Sequence, residues 1–246
     1  MLKRIIKVAL RQAGLDLRRY QHGGERLNAF FKAWKKLGFE PQFVIDVGAN
    51  HGNWTRTAIR YFPKARYLMI EPQERLTPYS SDLLGGNFAV KWKTAGVSDT
   101  CGSMMLTVTS KDYSSNFRWT ESEARSAGFE QIEVPITTLD TIASVENEIP
   151  AVVKIDAEGF DLRVLHGASS LFGKTEVFFV ECGICDRTVQ NSLPEVCRFM
   201  ADKGYLPVDF TDLNQGPKSG VLWLCEVVFI KAESAIWNHL DTSDWS

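Results

Sequence analysis

Long apolar runs are what this 246-residue chain conspicuously lacks. No stretch approaches the roughly 20 residues that a membrane-spanning helix requires. The most apolar segments, Val177 to Val180 and Val227 to Ile230, have the length of strands. Charge of one sign is also missing: 28 basic side chains face 30 acidic ones, which removes any bulk electrostatic case for binding naked nucleic acid. Glycine and proline stand near their usual frequencies, so collagen-like and low-complexity readings are excluded, and no internal repeat is visible. Cysteines are few, odd in number and scattered (Cys101, Cys182, Cys185, Cys197, Cys225), as expected of buried free thiols in a reducing, cytoplasmic compartment. Cys182 and Cys185 form a C-x-x-C, but no second pair or spaced histidines would complete a zinc site.

Charge is uneven only at the start. Residues 1 to 20 carry Lys3, Arg4, Lys7, Arg11, Arg18 and Arg19 against Asp16, a net +5 that leaves −7 on the rest. Apolar residues are interleaved among them, without the uninterrupted core and cleavage site of a secretory signal. The segment reads either as a basic amphipathic helix lying on an anionic membrane surface or as a helix packed on the body with solvated charges. The division expected is an N-terminal helical extension over 1–40 and one catalytic-type domain over 41–246.

Beyond it, Leu27, Phe30, Phe31 and Trp34 predict an amphipathic helix over Glu25 to Leu37. Apolar, β-branched runs at 43–47, 67–70, 88–93, 151–155 and 176–180 read as strands, and the segments at 54–62, 73–84, 162–171 and 193–203 as helices. That rhythm predicts an α/β doubly wound, mostly parallel sheet, closed at its edge by antiparallel strands near 205–210 and 222–230. Strands are also expected at 104–109 and 132–137. The polar stretch from Lys111 to Gly128, carrying Tyr113, Phe117 and Trp119, has the length of a lid or substrate loop.

Asp46-Val-Gly48-Ala-Asn50-His51-Gly52 sits where the first strand turns into a helix. Glycines there let a ligand approach the backbone, and the helix start offers free N–H groups. The G-x-G-x-x-G of a pyrophosphate site is absent, and Asp46 would repel a pyrophosphate. Glu71, ending the second strand, can accept hydrogen bonds from both hydroxyls of a ribose. A nucleoside with a cationic tail and no pyrophosphate fits: S-adenosylmethionine. A second cluster, Lys154-Ile-Asp156-Ala-Glu158-Gly159, ends a later strand. Its two carboxylates can orient a ligand amine, deprotonate a hydroxyl, hold a divalent cation or cap the following helix.

Together, Val44-Ile-Asp-Val-Gly-Ala-Asn-His-Gly52, Ile70-Glu-Pro72, Thr138-Leu-Asp140 and Val153-Lys-Ile-Asp-Ala-Glu-Gly159, followed by Val164-Leu-His-Gly-Ala168, resemble the FkbM-type methyltransferases over about 40 to 185. The resemblance implies a class I Rossmann-like fold and methyl transfer from S-adenosylmethionine to oxygen, on hydroxyls of sugars or polyketide-type natural products. It also implies cofactor contacts by Asp46, Gly48, Asn50, Gly52 and Glu71, with Ser98 and Asp99 flanking the adenine and Asp156 beside the methionine end. The family often has His-Glu or Ala-Glu after the Glu-Gly of its last motif. Phe160 and Asp161 stand there instead, which gives Glu158 and His51 more weight as candidate bases.

A sugar hydroxyl needs a base or a metal at neutral pH. Asp156, Glu158 (with Glu181 at the next strand tip) and His51 are the candidates for the catalytic role, and no dedicated metal ligands stand out. The function expected is O-methylation of a sugar in glycan or glycolipid biosynthesis, at the inner face of a membrane if residues 1–20 bind it. The alternatives are a small natural-product acceptor, or a non-catalytic nucleotide-binding or adaptor module.

Overall fold

The computed structural model describes residues 24–184, 191–216 and 218–240. The basic segment 1–20 and Cys185 lie outside them. Seven strands form one sheet: β1 (Phe43–Val47), β2 (Arg66–Glu71), β3 (Val90–Thr94), β7 (Val152–Ile155), β8 (Val177–Gly183), β9 (Tyr205–Gln215) and β10 (Leu222–Lys231). Their order is β3-β2-β1-β7-β8-β10-β9. Neighbours from β3 to β8 pair in parallel, and β10 runs antiparallel to both β8 and β9. The antiparallel pair expected at the sheet edge is thus β9 and β10.

Both faces of this sheet are covered, so its central strands are mostly apolar, with Asp46 and Lys154 as paired exceptions, and their period of two shows only in which layer each side chain joins. From β1 and β2, Phe43, Ile45, Val47, Leu68 and Ile70 point to one layer. That layer is completed by α5 (Leu139–Glu146), α6 (Asp161–His166) and α7 (Leu193–Asp202). Val44, Tyr67 and Met69 point to the other, against α1 (Gly24–Lys36) and α2 (Asn53–Tyr61). The helix predicted from Leu27, Phe30, Phe31 and Trp34 buries those four residues, and Phe30 meets Phe179 of β8 edge to face at 5.3 Å. Each such side chain stabilises the fold by roughly 1.5–3 kcal/mol on leaving water.

Three elements differ from expectation. The segment 73–84 is mostly a 3-10 turn (Glu74–Ser80), because Pro78 lies inside it, and only α3 (Ser81–Leu84) is α-helical. A short helix α4 (Glu121–Ser126) interrupts the polar stretch, started by a capping box of Thr120 and Glu123. α6 stops at His166: a Cβ on Gly167 would stand 2.3 Å from the carbonyl of Ser98, so the chain needs a glycine there.

A second, three-stranded sheet of order β4-β6-β5 lies beside the first: β4 (Gly96–Val97), β5 (Gly102–Val108) and β6 (Glu130–Thr137). It has its own small core of Leu106, Val134 and Ile136. Its importance is positional, because the β5–β6 connection is carried over the C-terminal ends of β1, β2 and β7.

Candidate active site

Strand order reverses between β1 and β7, and in an open α/β sheet the crevice at such a reversal is where ligands bind. Two turns meet there. Gly48 has φ +71°, and a Cβ on it would lie 1.8 Å from the carbonyl oxygen of Asp156. Only glycine permits this approach. Asn50 also adopts a left-handed backbone, φ 47°, and its N–H donates to Glu71 Oε2 at 3.0 Å. Glu71 Oε1 accepts from the N–H of Gln73 at 3.1 Å. Burial raises the pKa of Glu71, and these N–H groups oppose the shift.

The inner cleft formed this way is lined by Gly48, Asn50, Glu71, Pro72 and Gln73 and by Ala95, Gly96 and Val97. Asp156, Ala157 and Glu158 close its β7 side. Across its mouth lies the β5–β6 connection. Asp112 is anchored by Arg75 at 2.7 Å and by His51 Nε2 at 3.2 Å, and Gln73 Nε2 donates to the Asp112 carbonyl at 3.0 Å. The Arg75 guanidinium, with His51, holds the Asp112 carboxyl below its ordinary pKa.

After a 3-10 turn over Asp112–Ser114 the connection is extended from Ser115, and there its side chains alternate. Tyr113, Ser115 and Phe117 face the inner cleft. Ser114, Asn116 and Arg118 face a second, outer pocket of about 700 Å³. A period of two is what an extended chain dictates, so one short segment walls two cavities. Trp119, Phe129, Glu181, Gly183, Asn191 and Trp223 also line the outer pocket. One described residue lines both cavities: Glu158.

Glu158 reaches that position through a strained turn, with φ 52° followed by Gly159 at 90°. Asp161 holds the turn. Fully buried, it accepts from the N–H of Ala157 at 2.9 Å and of Gly159 at 3.2 Å. Asn191 Nδ2 donates to Asp161 at 2.8 Å and to the Glu181 carbonyl at 2.9 Å, and Asn191 Oδ1 accepts from Leu162 N–H. No side chain of the segment before α6 caps it; Asp161 ties back the preceding turn and Asn191 takes the Leu162 N–H, so Asp156 and Glu158 are left to face the cavities. Burial, with Asp156 and Asp161 nearby, pushes Glu158 up to about 8. Glu181 is likewise raised, by burial and then by the same two neighbours and Glu158.

A buried lysine ties the two turns together. Lys154 Nζ stands 3.4 Å from Asp46 and 3.2 Å from Asp156, and donates to the carbonyl of Gly48 at 3.0 Å. Burial opposes its charge, but Asp156, Asp46 and Glu226 outweigh that and hold its pKa above the ordinary lysine value.

A family model for the methyltransferase FkbM domain matches residues 46–207. The chain belongs to the FkbM methyltransferase family. No curated protein matches it. Solved structures similar to it include a 1,6-didemethyltoxoflavin-N1-methyltransferase of Burkholderia thailandensis with bound S-adenosylhomocysteine (15% identity, TM-score 0.46, 92% of this chain and 85% of that one). An rRNA methylase of Streptococcus thermophilus gives 11%, 0.48, 88% and 99%. The N-methyltransferase NodS of Bradyrhizobium japonicum gives 10%, 0.47, 87% and 99%.

As an FkbM methyltransferase the chain uses S-adenosylmethionine as its methyl donor. The inner cleft suits that molecule chemically: a buried carboxylate for hydroxyls, apolar walls from Ile70, Pro72, Ala95 and Val97 for a flat base, and Asp156 for a cation. Its free volume is about 80 Å³, below the roughly 300 Å³ where ligand pockets begin.

Several expected contacts lie elsewhere. Asp46 is fully buried beneath the glycine turn, where Thr55 Oγ1 donates to it at 2.6 Å. It supports the cleft through Lys154 and does not line it. Ser98 is buried and donates to Asp99, which Arg163 pairs at 2.8 Å and holds below its ordinary pKa. Both lie outside the lining, and Ala95, Gly96 and Val97 stand in the place expected for them. A Cβ on Gly52 would meet Met69, Ser80 and Leu83, so that glycine serves packing behind the turn.

His51 stacks on Tyr79 at 4.1 Å and holds Asp112. It faces a third cavity of about 310 Å³, shared with Asp156, Lys154 and Glu226, and not the outer pocket. In the Thr138-Leu-Asp140 motif, Thr138 caps α5 and Asp140 accepts from Ser170, which is scaffolding. Among the described residues, no group of three His, Cys, Asp or Glu side chains is placed to hold a metal ion. No helix among them is long and apolar enough to cross a membrane.

The residues that sequence reasoning missed are Gln73, Asn191, Trp223 and the pinning role of Asp161. Of these only Asp161 carried a signal, as a departure from the family pattern.

Proposed function

We propose that this chain methylates a hydroxyl oxygen of a sugar, in glycan or glycolipid assembly. The observation that carries the reading is Glu158, the one described residue shared by the inner cleft and the outer pocket. S-adenosylmethionine supplies a methyl group on positively charged sulfur. The protein must supply alignment, exclusion of water and a proton acceptor. A carboxylate pushed up to about 8 is a far stronger base than an ordinary one, and it stands where a hydroxyl in the outer pocket would meet the cleft. Asp156, paired with Lys154, is committed to the cleft side, and His51 is committed to Asp112. Both act in this reading as positioning groups.

Two indoles, Trp119 and Trp223, with Trp223 51% exposed, offer the flat apolar faces on which sugar rings stack. The basic residues of segment 1–20 favour work at an anionic lipid surface on the cytoplasmic side. The test is transfer of isotope-labelled methyl from S-adenosylmethionine to a panel of saccharides and of non-sugar alcohols, using the full chain. Base-stable label on saccharides is expected. Label confined to non-sugar alcohols moves the acceptor to small natural products. Tight cofactor binding without any transfer makes the chain a non-catalytic binding module.

A further inference from the structure

The outer pocket is lined by two cations, Arg118 and Lys111, that form no ion pair with any described residue. Arg56, Arg66, Arg75 and Arg163 each have a carboxylate partner within 2.8 Å. Among the described residues, no carboxylate stands within 4.0 Å of the Arg118 guanidinium or the Lys111 ammonium. Yet both line the pocket, together with the hydroxyls of Thr109, Ser110 and Ser114.

Arg118 is also built in. Its backbone N–H donates to Asn116 Oδ1 at 3.1 Å. Its side chain lies over the turn that carries Glu158: a Cβ on Gly159 would be 3.4 Å from Cδ and Nη1 and 3.5 Å from Nε. The side chain of Arg118 thus packs at van der Waals distance on the turn, whose left-handed backbone at Gly159 (φ 90°) favours glycine. The two glutamates of the pocket, Glu158 and Glu181, are both raised by burial, with Arg118 opposing the shift at Glu158, and neither pairs with a cation of the pocket within 4.0 Å. A guanidinium presents a planar fork that matches a carboxylate or phosphate, and an unpaired one facing a cavity wants an oxyanion.

We propose that the acceptor is an anionic saccharide. Arg118 and Lys111 hold its carboxylate or phosphate, Trp119 and Trp223 take the ring faces, and Glu158 meets the reacting hydroxyl. This rests on the saccharide reading above and narrows it.

The experiment titrates three probes into the full-length protein saturated with S-adenosylhomocysteine, following tryptophan fluorescence. Methyl glucoside and methyl glucuronoside differ at one carbon, hydroxymethyl against carboxylate, and glucose 6-phosphate is the phosphate arm. An anionic probe is expected to bind at least about tenfold tighter than the neutral one. Arg118→Ala should erase that preference while keeping the neutral probe's affinity and the binding of S-adenosylhomocysteine, which reports an intact fold. Which anion gains tells carboxylate from phosphate. Equal binding of neutral and anionic probes overturns the anionic acceptor and leaves the saccharide reading standing. Arg118→Ala weakening all three alike also overturns it. No probe binding, with S-adenosylhomocysteine bound normally, overturns the saccharide reading and this inference with it.

Discussion

The inner cleft is assembled from strand tips and the turns that leave them, whereas the outer pocket is walled by pieces from four distant parts of the chain. Gly48, Asn50, Glu71 and Asp156 are each within a few residues of a strand of the main sheet, and backbone N–H groups fix their positions. Trp119, Glu181, Asn191 and Trp223 come together only because the second sheet carries the β5–β6 connection across and β10 folds back beside β8. The cleft is thus determined by local backbone chemistry and the pocket by tertiary arrangement. The first suits a common cofactor and the second can vary with the acceptor. Glu158 sits on the boundary, held by Asp161 and not by either wall.

That contrast can be broken by substitution. Glu158→Gln keeps shape and removes the proton acceptor, so kcat should fall by about 10² to 10⁴-fold with cofactor affinity nearly unchanged, read by single-turnover kinetics and calorimetry. A parallel loss of cofactor affinity would place Glu158 in the cleft alone. Gly48→Ala forces a methyl into the Asp156 carbonyl, at a cost of about 2–4 kcal/mol, and should weaken cofactor binding at least tenfold. Asn191→Ala strands the Asp161 carboxylate and two backbone groups. It should cost about 2–3 kcal/mol in thermal unfolding and raise the acceptor KM more than the cofactor KM. Trp223→Ala acts on the pocket alone: about a five- to tenfold higher acceptor KM is expected, with cofactor affinity untouched.

The smallest effect is on stability against pH. Glu158 is raised from 4.5 to about 8, and Asp161 and Glu226 each to about 7, all by burial first. Folding therefore takes up protons at these groups. Their contribution is fully present below the unfolded carboxylate values and is lost as pH rises through about 7 to 8. Melting should be a few degrees higher near about pH 6 than above about pH 8, and Glu158→Gln should flatten the difference.

The same contrast explains what was legible in the sequence. The mostly parallel sheet, its antiparallel edge pair and the residues Gly48, Asn50, Glu71 and Asp156 of the cleft could be read because turns and strand tips are written within short windows. Glu158 was legible as a member of a motif, though not as a boundary. Asp46, Ser98 and Asp99 stand outside the cleft lining, because a motif fixes which residues stand at a strand tip and not which way each side chain turns. The buried Lys154 claims Asp46, and Arg163 claims Asp99, contacts made across 108 and 64 residues of chain. Trp223 and Asn191 gave no signal, because nothing local distinguishes an indole lining a cavity from one lining a core.

The central claim is that Glu158 takes the proton at the meeting of the two cavities. It is tested most directly by the pH dependence of kcat/KM for the acceptor in wild type and in Glu158→Gln. The wild type should show a unit-slope ascending limb approaching about pH 8, well above an ordinary carboxylate at 4.5. In Glu158→Gln the residual rate should be low and flat across that range. An identical limb in the variant would show that another group titrates and would contradict the account.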